Sequence, residues 1–318
     1  MKSNIRVTVV CTAYNQEKYI SDAIEGFLMQ ETDFDYEIII HDDASIDQTP
    51  SIIREYQKKY PQKIKIIMQT ENKYSKGENI IEKYMLPLAQ GDYIALCEGD
   101  DYWTNAFKLQ KQVEALDNHP EVDVCAHSAI VVDAESKNKI GEIKPAVQNM
   151  IFSVKDVIEG DGGFVATNSL MLRKQVYNDD MPTFRKVYKI DYTLQILASL
   201  RGGMIYLSDY MSAYRSCSDM SWTTKMMNNT QEYCKHFEKV IHVLEQLNID
   251  TNRKYEDVIL RRIRFQRLYI LETKKKYKEI FYNKDIISEL SLKQKIKLWL
   301  KAKFPWLIKL SRYRYGKK

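Results

Sequence analysis

No apolar run in these 318 residues approaches the roughly 18 needed to cross a bilayer as a helix. A spanning segment is therefore not expected. The apolar stretch after Lys2 and Arg6 is short and runs into Tyr14-Asn15-Gln16-Glu17, which is not the pattern of a signal peptide. Cysteine is scarce. The five residues Cys11, Cys97, Cys125, Cys217 and Cys234 are odd in number, widely spaced and free of any C-x-x-C pair. That argues against a disulfide framework and against a zinc site, and it fits a reducing compartment. A cytoplasmic protein is expected. Two nucleotide-binding signatures are also missing. No G-x-G-x-x-G follows the first apolar strand, and no G-x-x-x-x-G-K-[ST] occurs anywhere. Any phosphate bound here is not cradled by a glycine loop.

What is present suits a folded domain with a sizeable core: 44% hydrophobic and 11% aromatic residues. The net charge of +5 hides an asymmetry. From residue 251 onward there are 21 Lys and Arg against 6 Asp and Glu, a net of +15, so residues 1–250 carry −10. An acidic body with a basic tail implies an anionic partner for the tail.

Short β-branched runs alternate with helical periodicity along the first third. Val7 to Cys11 reads as a buried strand. Ile20, Ala23, Ile24, Phe27 and Leu28 repeat on one helical face. A second strand runs through 36–45 and ends in Asp42-Asp43. A helix follows, with Asp47 as expected N-cap, Pro50 in its first turn and Pro61 stopping it. A third strand covers 63–69, a helix is expected around 77–89, and a fourth strand ends at Glu98. Leu109, Val113 and Leu116 mark a further helix. This order predicts an α/β fold, a mostly parallel Rossmann-like sheet flanked by helices. Ligands in such sheets sit at the carboxyl ends of the strands. Three strand ends are polar: "CTAYN" (11–15), "HDDAS" (41–45) and "CEGDD" (97–101). If the strands are neighbours, their tips form one cleft.

The last of these raises an electrostatic question. Two carboxylates about 4 Å apart repel by roughly 1 kcal/mol in water and by several times that at a partly buried site. Glu98, Asp100 and Asp101 either point apart in a solvated turn or face something positive. A divalent cation on a diphosphate would serve.

"VTVVCTAYNQEKYISDAIEGFLMQ", "YEIIIHDDASIDQT" and "GDYIALCEGDDYW", in that order, resemble the family 2 glycosyltransferases, which have the GT-A fold. "ALCEGDDYW" with "KLQKQV" (108–113) is similar to a bacterial subgroup that builds capsules, O-antigens and wall polysaccharides. The resemblance is dense over 5–125, thins toward about 222 and is absent from the tail. It implies a nucleotide-sugar donor with uridine favoured, Mn²⁺ or Mg²⁺, and transfer with inversion at the anomeric carbon. It implies that Thr12, Tyr14 and Asn15 line the donor pocket and that Asp42 accepts from the base, with Asn72 nearby. A turn or cap is the alternative for Asp42 and Asp43. "EGD" stands where the family has Asp-x-Asp: Glu98 toward the ribose or the metal's water shell, Asp100 on the metal, Asp101 in support. Glu98 is one methylene longer than the family's commoner Asp. Trp103 would pack on a sugar or sit in the core.

The second half would bind the acceptor. "GGFVATNSLMLRK" (162–174) is similar to a family strand, and a helix is expected to start near Asp191. An Asp at a helix start is often an N-cap. The resemblance instead implies that Asp191 is the general base. "YLSDYMSAYRSCSDMSW" (206–222) is similar to the family's last segment, which often supplies a metal-binding His. Here Cys217 occupies that position, either as a weak ligand or with water in its place. Arg215 would contact diphosphate or pair with an acid.

The expected division is a catalytic domain over 1–225, with a nucleotide-sugar half (1–101) and an acceptor half (102–225), followed by a basic helical extension over 226–318. The segment 258–271 is expected to pack on the catalytic body. Within 292–310, lysines interleave with Leu, Ile and Trp, the pattern of a helix lying on an anionic membrane surface rather than a nucleic-acid arm. The acceptor is then a glycan or lipid-linked glycan, met at the inner face of the cell membrane. The competing reading is a nucleotide-sugar-binding or scaffold protein on the same fold with impaired catalysis. Cys217 supports it; Asp100, Asp101 and Asp191 oppose it.

Overall fold

The structure is a computed structural model and describes residues 5–177, 180–216 and 229–303. The chain divides into two compact units, Met1–Met181 with Lys189–Ser221, and Pro182–Tyr188 with Trp222–Lys318. The helical unit thus takes in a short segment that the sequence division left with the catalytic half.

The first unit is built on one mixed sheet. Strands β1 (Ile5–Ala13), β2 (Asp35–Asp42), β3 (Ile64–Met68) and β4 (Tyr93–Glu98) form its first half in the order β3-β2-β1-β4, all parallel. Val7 through Cys11 are buried on both faces of β1, as a central parallel strand requires. The helices α1 (Ile20–Leu28) and α2 (Thr49–Lys59) connect these strands. In α1 the expected face, Ile20, Ala23, Ile24 and Phe27, is buried. Gly26 lets α1 approach β5 (Tyr102–Trp103): a Cβ there would lie 2.9 Å from the Trp103 nitrogen. The N-cap of α2 is Gln48 rather than Asp47. Asp47 still serves the helix start, because its carboxylate accepts from the Thr49 N–H at 2.9 Å.

The helix expected around 77–89 forms in part: residues 80–88 are helical, wide in pitch over Ile81–Met85 and tight over Leu86–Leu88, after a separate turn at Tyr74–Lys76. Gly77, at φ 78°, closes that turn, and Pro87 cannot donate the amide that a regular α-helix would need.

The second half of the sheet mixes directions. The helix α3 (Lys108–Asp117) precedes β6 (Val124–Asp133), β7 (Lys139–Ile143) and β8 (Met150–Phe152). Then come α4 (Val154–Gly160), β9 (Met171–Arg173), α5 (Thr183–Val187, in the helical unit), α6 (Asp191–Ser199) and β10 (Met204–Ser216). β9 lies antiparallel between β4 and β6, while β10 runs parallel to β6 and antiparallel to β5.

The helical unit contains α7 (Thr230–Asp250), α8 (Glu256–Thr273), α9 (Tyr277–Tyr282), α10 (Lys284–Ser288) and α11 (Leu292–Lys303). The segment 258–271, expected against the catalytic body, lies in α8 and packs along α7. No described helix is long and apolar enough to cross a membrane.

Candidate active site

Strand register places the three polar tips side by side. Ala13 pairs with Asp42, and Thr12 pairs with both His41 and Glu98. At the β2 tip, Asp42 is buried and accepts from Ser45, at 3.1 Å from its N–H and 2.5 Å from its hydroxyl. The Ser45 Oγ in turn accepts from the Asn15 N–H at 2.9 Å, and the Asn15 side-chain oxygen accepts from the Ile46 N–H at 2.9 Å. Asn15 and Asp42 therefore belong to one network, hinged on a serine that the sequence reading left without a role. Asp43 plays a different part. Its two oxygens accept from the N–H groups of Lys73 (2.8 Å) and Tyr74 (3.0 Å), which ties the 72–75 loop to the strand end. Asn72 caps that loop by accepting from the Ser75 N–H at 2.7 Å. Thr12 and Tyr14 are half-buried at the end of β1.

The acid turn after β4 is pinned to β1 by a Gly99 N–H bond to the Thr12 carbonyl, 2.9 Å. The turn packs closely on α1: a Cβ at Gly99 would meet Gln16 Oε1 at 2.4 Å and Ile20 Cδ1 at 2.9 Å, so those two side-chain ends would have to move to admit one. Asp101 is buried. One oxygen accepts from the Arg215 N–H and the other from Asn168 Nδ2, both at 2.8 Å. Burial and Asp100 nonetheless push its proton affinity well above the usual carboxylate range. Arg215, also buried, donates from Nη1 to the Asp100 carbonyl at 2.6 Å and pairs through Nη2 with Asp22 of α1. The Tyr19 and Tyr102 rings lie 5.0 and 4.5 Å from its guanidinium carbon. It spans α1, the acid turn and β10.

Glu98 is different. It is half-buried, and among the described residues none donates a hydrogen bond to its carboxylate. Burial, then the charges of Asp191, Asp100 and Asp101, push its proton affinity well above the ordinary range. Asp191 thus comes close enough to Glu98 to be felt, across 93 residues of sequence. It is the first residue of α6 and not its cap. Ile190 holds the cap position, where its N–H donates to Thr193 Oγ1 at 3.1 Å. The exposed Asp191 carboxylate accepts instead from the Thr167 hydroxyl at 2.6 Å. Thr167 and Asn168 are consecutive, so one short turn, Thr167–Ser169, holds Asp191 with one side chain and Asp101 with the next.

The donor set bears on a metal. Among the described residues no three His, Cys, Asp or Glu side chains converge to hold one. Both Asp101 oxygens already accept hydrogen bonds, and Cys217 lies outside the described residues. Glu98 and Asp100 bring hard carboxylate oxygens to the same turn. One or two carboxylates suit Mg²⁺ or Mn²⁺, which take the rest of their shell from phosphate and water. The residues fit such an ion on a diphosphate and do not fit a closed protein cage.

A family model described as glycosyl transferase family 2 matches residues 8–180, just over half of the chain. The chain belongs to this family. An uncharacterised protein of Mycobacterium tuberculosis is 40% identical over 216 residues, covering 68% of this chain and 60% of that protein. The chain thus spans less than two thirds of that relative's length. Staphylococcus aureus TarS 1–349 in complex with UDP-GlcNAc superposes with a TM-score of 0.63 at 16% identity, covering 90% of this chain and 80% of that one. The mannosyltransferase PcManGT of Pyrobaculum calidifontis, with GDP-Man and Mn²⁺, gives 0.52 at 16%, covering 94% and 87%. These two likenesses establish the GT-A fold of the family 2 chain.

Trp103 belongs to the core. It is buried, stacks edge-on against Phe27 at 4.8 Å, and its Nε1 donates to the Asn168 carbonyl at 3.0 Å. The sequence reading missed Asp22, Ser45, Thr167 and Asn168. Only "ATNS" (166–169), a polar insertion in an apolar stretch, offered a signal.

Proposed function

We propose that this chain transfers a sugar from a nucleotide-sugar, with UDP as the favoured carrier, to a hydroxyl of a glycan acceptor, inverting the anomeric carbon. The observation that carries the reading is the Glu98 carboxylate, without a hydrogen-bond donor among the described residues and faced by Asp100, Asp101 and Asp191. Arg215 at this turn is already engaged by Asp22 and the Asp100 carbonyl, so a bound cation would meet the Glu98 charge. Thr12, Tyr14 and the Asn15–Ser45–Asp42 network form the base side of the donor pocket, with Asn72 at its edge. Glu98 and Asp100 would hold a divalent cation, with Asp101 in a supporting position and Cys217 a further candidate ligand. When bound, Mg²⁺ or Mn²⁺ neutralises the charge that develops on the departing diphosphate. Asp191 takes the proton from the acceptor hydroxyl as its oxygen bonds to the anomeric carbon and the carbon–phosphate-oxygen bond breaks. The Thr167 hydroxyl aims that carboxylate. TarS crystallised with UDP-GlcNAc and PcManGT with GDP-Man and Mn²⁺ support the donor class and the metal by analogy.

The likeness of "ALCEGDDYW" to polysaccharide-building enzymes favours a lipid-linked acceptor in surface polysaccharide synthesis, met at the inner face of the cell membrane. The domain roles follow: residues 1–101 for the donor, 102–225 for the acceptor, 226–318 as basic extension. The test is calorimetric titration of the full chain with UDP-, GDP- and dTDP-sugars in Mn²⁺ and in excess chelator, followed by transfer assays. One donor should bind in Mn²⁺ and bind at least about tenfold more weakly in chelator, and Asp100→Ala should abolish transfer. Equal affinity in chelator would refute the metal role, and no binding of any nucleotide-sugar would refute the reading.

A further inference from the structure

We propose that the outward face of α11 is a docking surface for an anionic lipid bilayer. This deepens the inner-face location above and rests on that reading only for the acceptor's identity. One side of α11 is fixed inward. Leu298 is 3% exposed and packs with Leu268, Ile280, Ile286 and Leu290, while Lys301 pairs with Glu272 at 3.1 Å. The opposite side is apolar and open: Leu292 is 74% exposed, Ile296 52%, Trp299 38% and Leu300 40%. These positions are i, i+4, i+7 and i+8, one continuous stripe of an α-helix. Leu298 lies on the far side of the helix from them. Lys293, Lys295 and Lys297 flank the stripe, and Lys303 Nζ sits 5.3 Å from the Trp299 ring centroid.

Charge decides the occupant. Residues 291–318 hold ten Lys and Arg and no Asp or Glu. A second copy of this face would bring like charge onto like. A nucleic acid would satisfy the lysines and leave four large apolar side chains in water. An anionic bilayer satisfies both: phospholipid headgroups meet the lysines, whose stems extend past the stripe, and the stripe enters the headgroup–acyl boundary with Trp299 at headgroup depth. The sequence pattern had covered 292–310 without saying which residues face outward. The packing of Leu298 selects them.

The test is co-sedimentation of the full chain with phosphatidylcholine vesicles, with and without phosphatidylglycerol, at low and high salt. Binding should require the anionic lipid and fall by about tenfold or more at high salt. Ile296→Glu and Leu300→Glu, both on the open stripe, should each weaken vesicle binding by about tenfold while melting temperature and donor affinity stay at wild-type values. Asp191→Asn should bind vesicles as the wild type does, so loss of catalysis and loss of docking are read separately. Failure to bind anionic vesicles at low salt overturns the proposal. So does vesicle binding that both stripe variants retain. Wild-type dimerisation that Ile296→Glu abolishes, or binding to DNA that exceeds binding to vesicles, would assign the face to another occupant and overturn it as well.

Discussion

Replacing Asp191 by Asn separates a proton acceptor from a structural carboxylate. The structural cost is small. An exposed charged side chain in the first turn of a helix, as Asp191 is in α6, contributes about 0.3–1 kcal/mol. The Thr167 hydroxyl at 2.6 Å can still donate to the amide oxygen, and a bond to a neutral acceptor is weaker than one to a carboxylate by about 1 kcal/mol. Removing the charge also relieves the repulsion that Glu98 feels from Asp191. The cap is untouched, because Ile190 and Thr193 make it. The net loss should stay under about 2 kcal/mol, which in a unit of this size is a fall of less than about 8 °C in melting temperature. The chemical cost is larger. Losing a general base lowers turnover by about 10² to 10⁴, or roughly 2.7 to 5.5 kcal/mol of barrier. Transfer assays with the donor identified by titration, run beside calorimetric donor binding, should show unchanged donor affinity and turnover reduced by at least about a hundredfold. Thr167→Val, which leaves the carboxylate but removes its hydroxyl partner, should fall between the two. Asp191→Asn turnover within a few-fold of wild type would refute the assignment.

Two further outcomes follow from the acid turn and its clamp. Glu98 binds its proton more tightly in the folded than in the unfolded chain, so its contribution to stability is greatest below the ordinary carboxylate range and is lost as pH rises toward the raised value. In chelator, the wild-type melting temperature should therefore fall relative to that of Glu98→Gln as pH rises above about 5, and parallel pH profiles would exclude the raised proton affinity. Arg215→Lys keeps the charge but loses the planar fork that reaches the Asp100 carbonyl and Asp22 together. It should stay folded, with donor affinity in Mn²⁺ weakened by about tenfold and a raised metal requirement, and an unchanged metal titration would show that Arg215 does not position the acid turn.

Much of the fold follows from patterns that are local in sequence. The apolar runs of β1, β2 and β4 and the spacing of Ile20, Ala23, Ile24 and Phe27 specify which faces must leave water, and the tips of the strands carry their polar residues with them. That is why the polar ends at 11–15, 41–45 and 97–101 are legible in the sequence, and the register of β1 with β2 and β4 sets them side by side. Local pattern was right only in part around 77–89: residues 80–88 are helical, but Gly77 closes a separate turn before them and Pro87 lacks the amide of a regular α-helix. It also could not divide labour within "DDAS" or "EGDD". Neighbouring carboxylates look alike in sequence, and their hydrogen-bond partners come from elsewhere: Ser45 for Asp42, the 73–74 backbone for Asp43, Arg215 and Asn168 for Asp101. The approach of Asp191 to Glu98 and the shared turn at Thr167 and Asn168 depend on β9 inserting between β4 and β6. Residues 251–318 show the same division. Their sequence alone determined charge and amphipathicity, whereas the burial of Leu298 against Leu268, Ile280, Ile286 and Leu290 decided which side of α11 meets solvent. Periodicity specifies a face relative to its own helix axis, and only the packing of distant segments turns that axis toward a core or away from it.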